Sequence, residues 1–283
     1  MIKLLVVGAL HNDVVVRASR LPQLDETLRG QEVVYQFGGK GGNQALAARK
    51  AGASVGFAGR IGDDVAGASM RATLRAAGVD VGQLQQGDGA SGMSVAIVNE
   101  KGDYGAVIVS AENHLFATSA LNIPAGCEML LLQNEMDCDV LPACVEAAHK
   151  RGVRVVWNVA PAERVKPSDL ALVDTLIVNK LEAGQILGSD DIASMPAKAV
   201  AALTKLAPAA EVIMTLGGDG VAFAAPGISF QQQSTVPTDV YSTHGAGDAF
   251  VGTFAACRLR RVSLAKAISI GQKAAATHIS QRR

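Results

Sequence analysis

The sequence predicts an α/β protein in which helices cover both faces of a mostly parallel β-sheet. From about residue 124 onward, short apolar segments alternate with helical ones, which is the pattern of βαβ units. The chain is 49% hydrophobic but only 4% aromatic, so aliphatic residues supply most of its apolar surface. Aliphatic strands of this kind are buried between two helical layers. We expect one domain spanning residues 1–283, with a small β-sheet lid from segments near 12–17, 31–37 and 93–110.

The first half of the chain predicts one central strand, two helices and a separate layer of short strands. The apolar run Ile2–Ala9 suits a strand buried on both sides. One helix is predicted over Asn43–Ala51, and a second runs from a cap at Asp63 to Ala77. The strand Ser54–Gly59 lies between them. The short β-like segments of the lid are Val14–Val16, Glu32–Phe37, Ser94–Val98 and Ala106–Ser110.

The second half predicts the alternation of strands and helices on which the fold class rests. The predicted strands are Met129–Gln133, Val153–Asn158, Thr175–Val178, Val212–Leu216 and Val221–Ala224. The predicted helices are Val140–Lys150, Lys180–Leu187, Ala197–Leu206, Ala246–Leu259 and Leu264–Ile279. No internal repeat or long linker interrupts the series, which favours a single domain.

Charge and cysteine content argue against several classes of function. Lys plus Arg and Asp plus Glu each number 26, so no net positive field exists to hold a nucleic acid or an anionic membrane. No segment approaches the ~20 apolar residues of a membrane-spanning helix. The four cysteines form no CxxC pair, and no secretory signal precedes the first apolar run. We expect a cytoplasmic protein whose thiols are buried rather than bound to a metal.

A glycine-containing turn near the C-terminus is the first candidate site. The segment Ser242–Phe250 reads STHGAGDAF, with small residues where a loop becomes a helix. Free backbone N–H groups and the positive end of the helix dipole favour an anion at such a point. Asp248 in the first turn could then accept a proton from an attacking hydroxyl. An aspartate here can also merely stabilise the helix N-terminus, so this motif alone leaves both interpretations open.

A second glycine-dense segment, Phe37–Gln44, reads FGGKGGNQ and opens the first predicted helix. Its glycines permit close approach of a ligand to the backbone, while Lys40 and Asn43 offer hydrogen-bond donors to hydroxyl oxygens. A purely structural turn is the alternative. The spacing fits neither the P-loop GxxxxGK[ST] nor the GxGxxG that follows the first strand of dinucleotide-binding proteins. The second mismatch argues against a dinucleotide-dependent oxidoreductase.

Together, the early GGKGGNQ and the late GAGD resemble the two signature regions of ribokinase-like (pfkB) carbohydrate kinases, closest in motif form to the ribokinase branch. Other segments resemble family motifs in the same order along nearly the whole chain. They are GALHND at Gly8–Asp13, GRIGDD at Gly59–Asp64 followed by Gly67, NKLE at Asn179–Glu182, and TLGGDG at Thr215–Gly220.

The resemblance implies a role for each matching residue. Sugar-binding residues are expected at His11, Asp13, Gly39, Lys40, Asn43 and Glu135. ATP-binding residues are expected at Asn179, Glu182, Thr215, Gly217 and Gly220, with Glu182 acting on Mg²⁺ indirectly. In catalysis, Asp248 would deprotonate a hydroxyl of the acceptor. The amides of Gly245, Ala246 and Gly247 would stabilise the transferred phosphoryl group.

The expected function is ATP-dependent phosphorylation of a hydroxyl on a small sugar, ribose or a related carbohydrate, with Mg²⁺ as cofactor. The resemblance also implies a homodimer that forms through the lid, and no nucleic acid or membrane as partner. Two alternatives stay open at this point. One is a nucleoside kinase of the same fold, and the other is a non-catalytic relative that binds a sugar or nucleoside.

The sequence departs from the family pattern at three places. His11 stands where asparagine is usual, which alters one contact to the acceptor. Ser242 and Thr243 stand where the family has Asp-Thr before the glycine turn. The chain stops at Arg283, before a loop and helix that in relatives help enclose adenine and a monovalent cation. Anionic oxygen ligands favour such a cation, so we expect little stimulation by K⁺.

Overall fold

The structure, a computed structural model, describes residues 1–100 and 104–281. Its strands are β1 (Leu4–Val7), β2 (His11–Arg17), β3 (Glu32–Gly38), β4 (Val55–Gly62), β5 (Asp80–Gly87), β6 (Met93–Val98), β7 (Tyr104–Val109), β8 (Met129–Leu132), β9 (Arg154–Asn158), β10 (Thr175–Asn179), β11 (Glu211–Thr215), β12 (Val221–Ala225) and β13 (Ile228–Gln233). Its helices are α1 (Lys40–Lys50), α2 (Val65–Ala76), α3 (Val140–His149), α4 (Pro167–Leu170), α5 (Lys180–Leu187), α6 (Asp190–Ala193), α7 (Pro196–Leu206), α8 (Ala246–Leu259) and α9 (Leu264–Ile279). None of these helices, over the ranges described, combines the length and apolarity that crossing a bilayer demands.

Within the described ranges, nine strands form the main sheet in the order β13-β12-β11-β10-β9-β8-β1-β4-β5. The seven neighbouring strands β11, β10, β9, β8, β1, β4 and β5 are all parallel, and β12 and β13 add an antiparallel edge. The strand β1 lies inside the sheet between β4 and β8, so the chain builds the sheet outward from β1 in both directions. Open parallel sheets bind ligands beyond the carboxyl ends of the strands at such a point.

The main sheet separates two hydrophobic cores. Successive side chains of a strand point to opposite faces. Accordingly, Leu5 and Val7 of β1 join one core, which α3, α5 and α7 cover, whereas Leu4 and Val6 join the other. Helices α1, α2, α8 and α9 cover the second core. This arrangement confirms the predicted fold class, a mostly parallel sheet with helices on both faces.

A separate four-stranded sheet has the order β3-β2-β6-β7 within the described residues. It consists of the segments near 12–17, 31–37 and 93–110 that the sequence assigned to a lid, although residues 101–103 lie outside the described ranges. In the pairing of β2 with β3, Asp13 lies opposite Gln36 and Val14 opposite Tyr35. The small sheet therefore turns His11 and Asp13 to one face, where both are buried, and Val14 and Tyr35 to the other.

Several predicted boundaries are wrong, and those at β1, α1 and α2 each have a local reason. The strand predicted over Ile2–Ala9 is only Leu4–Val7, because Gly8 and Ala9 leave the sheet to meet the start of α1. Helix α1 begins at Lys40 instead of Asn43, so the glycines that follow Lys40 form its first turn. Asp64, not Asp63, caps α2: its carboxylate accepts a hydrogen bond of 2.7 Å from the N–H of Gly67.

The sequence did not predict β5 or β13. These two strands read DVGQLQQG and ISFQQQ, and each lies at an edge of the main sheet. An edge strand exposes polar side chains and lacks the continuous apolar run of a central strand. Without such a run, neither segment stands out from a loop in the sequence.

Candidate active site

Helix α8 begins at the glycine turn that the sequence singled out. Gly245 is its N-cap and has φ of 74°, in the left-handed region that favours glycine. The N–H of Ala246 donates to the carbonyl of Thr243 at 3.2 Å. The next N–H groups, those of Gly247 and Asp248, have no acceptor within an α-helix. An anion bound here would meet these donors and the positive end of the helix dipole.

The carboxylate of Asp248 is held in place by two amide side chains of α1. Asn43 Nδ2 donates to its Oδ2 at 3.2 Å, and Gln44 Nε2 donates to its Oδ1 at 2.9 Å. Asp248 is only 9% exposed, and burial raises the pKa of its carboxyl group above the usual value. The charge of Lys40 and the two hydrogen bonds oppose that rise. Asp248 is thus a buried, oriented carboxylate beside the candidate anion site.

Gln44 links Asp248 to the ends of two neighbouring strands. The Gln44 side chain is completely buried. Its Nε2 also donates to Asn158 Oδ1 at 2.9 Å, and its Oε1 accepts from Gln133 Nε2 at 2.7 Å. Asn158 ends β9 and Gln133 follows β8, so this network ties the position of Asp248 to the carboxyl edge of the sheet.

The glycines before and within α1 let the backbone pack closely on the end of β1. Gly39 has φ of 87°, and a Cβ there would lie 2.6 Å from the carbonyl oxygen of Ala9. A Cβ on Gly41 would lie 2.8 Å from the backbone of Gly8. These glycines therefore allow close packing of the protein on itself. From the sequence we had expected them to allow close approach of a ligand.

Lys40 and Glu135 lie together at the N-terminus of α1. The backbone N–H of Lys40 donates to Glu135 Oε2 at 2.6 Å. Burial raises the pKa of Glu135 to about 7, even though the positive charge of Lys40 opposes the shift. Burial also disfavours the charge of Lys40, but the carboxylates of Asp248, Glu135 and Glu182 outweigh it and raise the pKa of Lys40. Lys40 is thus a cation surrounded by acidic groups.

The small sheet contributes Asp13 and His11 to the same region. Asp13 Oδ1 accepts a hydrogen bond of 2.5 Å from the Ser94 hydroxyl, and its Oδ2 lies 3.8 Å from His244 Nε2. His11 is 2% exposed, and its Nε2 has no hydrogen-bond partner among the described residues. Burial lowers the pKa of His11, so this imidazole is neutral at physiological pH. Asp13 and His244 connect the small sheet with the loop before α8.

The predicted nucleotide residues lie at the ends of β10 and β11. Asn179 caps α5: its side chain accepts from the N–H of Glu182 at 2.8 Å, and Glu182 Oε2 accepts from the N–H of Asn179 at 2.7 Å. Thr215 lies directly opposite Asn179 in the sheet. After it, Gly217 and Gly220 have φ of 60° and 96°, so the turn requires glycine. The two motifs therefore form one edge of the site.

A cavity of about 550 Å³ opens beside Asp248, between α1, α8 and α9. Its volume is in the range of small-molecule sites. Its lining includes Asn43, Gly245, Asp248 and His278. A small molecule in this cavity would reach the carboxylate of Asp248.

The predicted acceptor residues come from three separate parts of the chain, and the structure brings them together around Lys40 and Asp248. The charge of Glu182 acts on both Lys40 and Asp248, which connects the predicted nucleotide residues with this cluster. The sequence did not assign roles to Gln44, Gln133, Asn158 or Ser94. Of these, only Gln44 carried a signal, because it lies in the GGNQ segment beside Asn43.

Comparison with known proteins places these observations in a family. The chain matches the pfkB family carbohydrate kinases over residues 1–283. It is 30% identical to the ribokinase of Haemophilus influenzae over 284 aligned positions, which cover 99% of this chain and 92% of that protein. It is 27% identical to the ribokinase of Bacillus subtilis, with 97% and 92% of the two chains covered.

Solved structures agree with these sequence matches. The ribokinase of Cryptococcus neoformans in complex with ADP superposes with a TM-score of 0.84 at 28% identity, over 100% of this chain and 95% of that one. The ribokinase of Arabidopsis thaliana complexed with ribose and ATP gives a TM-score of 0.90 at 26% identity, over 100% and 94%. These matches confirm the expectation of a kinase that phosphorylates a sugar with ATP. The chain belongs to the pfkB family of carbohydrate kinases.

Proposed function

We propose that this protein transfers the γ-phosphoryl group of ATP to a hydroxyl of ribose or a closely related small sugar. The observation that carries the proposal is the buried carboxylate of Asp248, which Asn43 and Gln44 orient beside the N-terminus of α8. Ribokinases of several organisms are similar to the chain along most of its length. His11, at a position where asparagine is usual in the family, alters one contact to the acceptor.

In the proposed mechanism, Asp13, Gly39, Lys40, Asn43 and Glu135 bind the acceptor, with His11 beside them. Asp248 removes the proton of the reacting hydroxyl, and the hydroxyl oxygen attacks the γ-phosphorus as the bond to ADP breaks. The amides of Gly245 and Gly247 stabilise charge on the transferred group, whereas that of Ala246 donates to the carbonyl of Thr243. Asn179, Thr215, Gly217 and Gly220 hold ATP.

We also propose Mg²⁺ as the cofactor. In kinases this ion keeps several waters and binds through one or two carboxylates together with the phosphates of the substrate. No cluster of three or more potential metal ligands occurs among residues 1–100 and 104–281, but a single buried carboxylate, that of Glu182, lies at the nucleotide edge. That donor set fits an ion held chiefly by phosphates and water. Mg²⁺ would neutralise phosphate charge there, with Glu182 binding its water shell.

The proposed activity is tested by measuring ADP release from ATP with a panel of pentoses, hexoses, ketoses and nucleosides. We expect ribose or a related sugar to give the highest kcat/KM. Preference for a nucleoside would support a nucleoside kinase instead. Binding of a sugar without ADP release, at every Mg²⁺ and ATP concentration tried, would indicate a non-catalytic relative.

The pKa of Glu135 predicts how acceptor binding depends on pH. With a pKa of about 7, Glu135 becomes a carboxylate between pH 6 and 8 and then accepts stronger, charge-assisted bonds from sugar hydroxyls. The acceptor KM should fall over this range, while the KM for ATP stays constant. In a Glu135→Gln variant the pH dependence should vanish, and the acceptor KM at pH 8 should be about tenfold higher.

The stability of the ligand-free protein gives a second measurement on Glu135. Its folded-state pKa is raised from 4.5 to about 7, so the wild type should lose stability relative to Glu135→Gln as pH rises between these values. Glu163→Gln, at an exposed glutamate, is the matched control and should show neither effect. An unchanged pH profile of the acceptor KM in Glu135→Gln would remove Glu135 from the acceptor site.

We propose that the outer face of the small sheet forms a homodimer. Four of its apolar side chains are more than half exposed: Val33, Tyr35, Val107 and Val109. The strand register puts them on the face opposite Asp13. A patch of this kind on a small sheet marks an interaction surface.

Tyr35→Asp combined with Val107→Asp should convert a dimer into a monomer, as measured by light scattering. Val65→Asp, at an exposed residue of α2, should remain dimeric.

We propose that K⁺ stimulates the protein little. Ser242 brings no carboxylate to the loop before α8, and its hydroxyl accepts a hydrogen bond of 3.3 Å from the N–H of His244. Without an anionic ligand, a monovalent cation is bound weakly. Titrating KCl against tetramethylammonium chloride at constant ionic strength should change kcat less than about twofold. Saturable activation at millimolar K⁺ would contradict this prediction.

We further propose that residues 1–283 act as one domain in the cytoplasm. The single family match and the continuous main sheet support one domain. Cys127, Cys144 and Cys257 are buried as free thiols, which suits a reducing compartment.

A further inference from the structure

The last turn of α9 holds the loop that leads into α8. His278 Nε2 lies 2.9 Å from the carbonyl oxygen of His244. The N–H groups of Tyr241 and Ser242 donate to the carbonyl of Ile279 at 2.8 and 3.2 Å. A carbonyl oxygen only accepts hydrogen bonds, so Nε2 of His278 carries the proton and donates. The loop is thus fixed at two points by consecutive residues of one helix.

The hydrogen bond from His278 orients a peptide group of the candidate anion site. The carbonyl of His244 and the N–H of Gly245 belong to the same peptide, and in a trans peptide they point in opposite directions. Fixing the carbonyl toward α9 therefore fixes the Gly245 N–H on the other side. A Cβ on Gly245 would come within 2.8 Å of His278 Nε2, so glycine is also what lets the imidazole lie here.

Outside its contacts with α9, the loop is restrained at Ser234, whose carbonyl accepts from Gln272 at 3.2 Å, and at His244, whose Nε2 lies 3.8 Å from Asp13 Oδ2. Residues 234–245 contain no helix or strand, and the side chains of Ser242, Thr243 and His244 are exposed. Exposed segments with few packed side chains open locally at low free energy, so their backbone hydrogen bonds decide their conformation. Removing the bond from His278 should free the peptide that joins His244 and Gly245.

We propose that His278 is a positioning residue for phosphoryl transfer: its imidazole donates to the His244 carbonyl and thereby aims the Gly245 N–H at the transferred phosphoryl group. The inference rests on the proposed function, since that function assigns the loop to the phosphoryl group. His278 itself touches no reacting atom. Preorganised donors of this kind stabilise the transition state most strongly. Loss of the His278 hydrogen bond should therefore lower kcat and leave acceptor binding nearly unchanged.

The kinetic test compares two substitutions of His278 with a control on the same helix. His278→Ala should lower kcat about tenfold or more, with little change in acceptor KM. His278→Gln should recover most of the loss, because the glutamine amide nitrogen can occupy the place of Nε2 and donate. Lys266→Ala, at an exposed position of the same helix that does not line the cavity, should behave as the wild type. Equal losses in both His278 variants, or none in His278→Ala, would overturn the proposal.

Hydrogen exchange of the backbone provides a readout that needs no turnover. In His278→Ala the amides of residues 241–247 should exchange about tenfold faster than in the wild type, while His278→Gln stays close to the wild type. Unchanged exchange in His278→Ala would exclude the positioning role. If exchange changes as expected but the wild type phosphorylates no sugar, the loop contact is supported and the proposed function fails.

Discussion

An Asp248→Asn variant is expected to fold normally, to bind both substrates, and to lose at least about 100-fold in turnover, the scale of losing a general base. The asparagine keeps the shape of the side chain, and its amide oxygen can still accept the hydrogen bond from Gln44 or Asn43. It cannot take a proton from the acceptor hydroxyl. Steady-state kinetics with the best sugar measures the loss of kcat. Calorimetry measures whether the variant still binds ATP.

The pH profile provides the control for this assignment. Burial raises the pKa of Asp248, so the wild-type kcat should increase with pH as this carboxyl group loses its proton, with a midpoint above that of an ordinary aspartate. That increase should be absent in the residual activity of Asp248→Asn. A substitution of the exposed Asp239 by asparagine should leave both kcat and its pH profile intact. Near wild-type turnover in Asp248→Asn would show that another group removes the proton of the acceptor hydroxyl.

The sequence predicted the fold well wherever a strand is buried on both faces. The predicted strands Val153–Asn158 and Thr175–Val178 each differ from the observed strand by a single residue. A continuous apolar run indicates a strand whose two faces are both buried. Strands β5 and β13 were missed, since an edge position permits glutamine on an exposed face. Pairing between distant segments decides such strands, and the local sequence does not show it.

The site was predictable at the turns and unpredictable in the contacts between them. The backbone has positive φ at Gly39, Gly217, Gly220 and Gly245. Glycine is the residue that favours this conformation, so the sequence indicates such turns. The hydrogen bonds of Gln44 to Gln133, Asn158 and Asp248 join residues from four distant positions, and each of these polar side chains alone is typical of a surface. Only the folded sheet brings them together.

Gln44→Leu is expected to damage both stability and catalysis, because Gln44 is the hub of this buried network. Leucine fills a similar volume but removes the donor to Asp248 and leaves Gln133 Nε2 and Asn158 Oδ1 without the partners they have in the wild type. Each buried polar group left unpaired costs about 1–3 kcal/mol, so the free energy of unfolding should fall by about 3 kcal/mol. Turnover should fall at least about tenfold, since Asp248 loses one of its two orienting bonds.

Urea unfolding and kcat at saturating substrates separate the two effects of Gln44→Leu. Gln185→Leu, at an exposed position of α5, is the matched control and should change neither quantity by much. In Gln44→Glu, two carboxyl groups would share one site, which raises the pKa at which the pair loses its second proton. The increase of kcat with pH should therefore shift to higher pH in Gln44→Glu. If Gln44→Leu remains folded with wild-type kcat, or if Gln44→Glu keeps the wild-type pH profile, the network does not position the base.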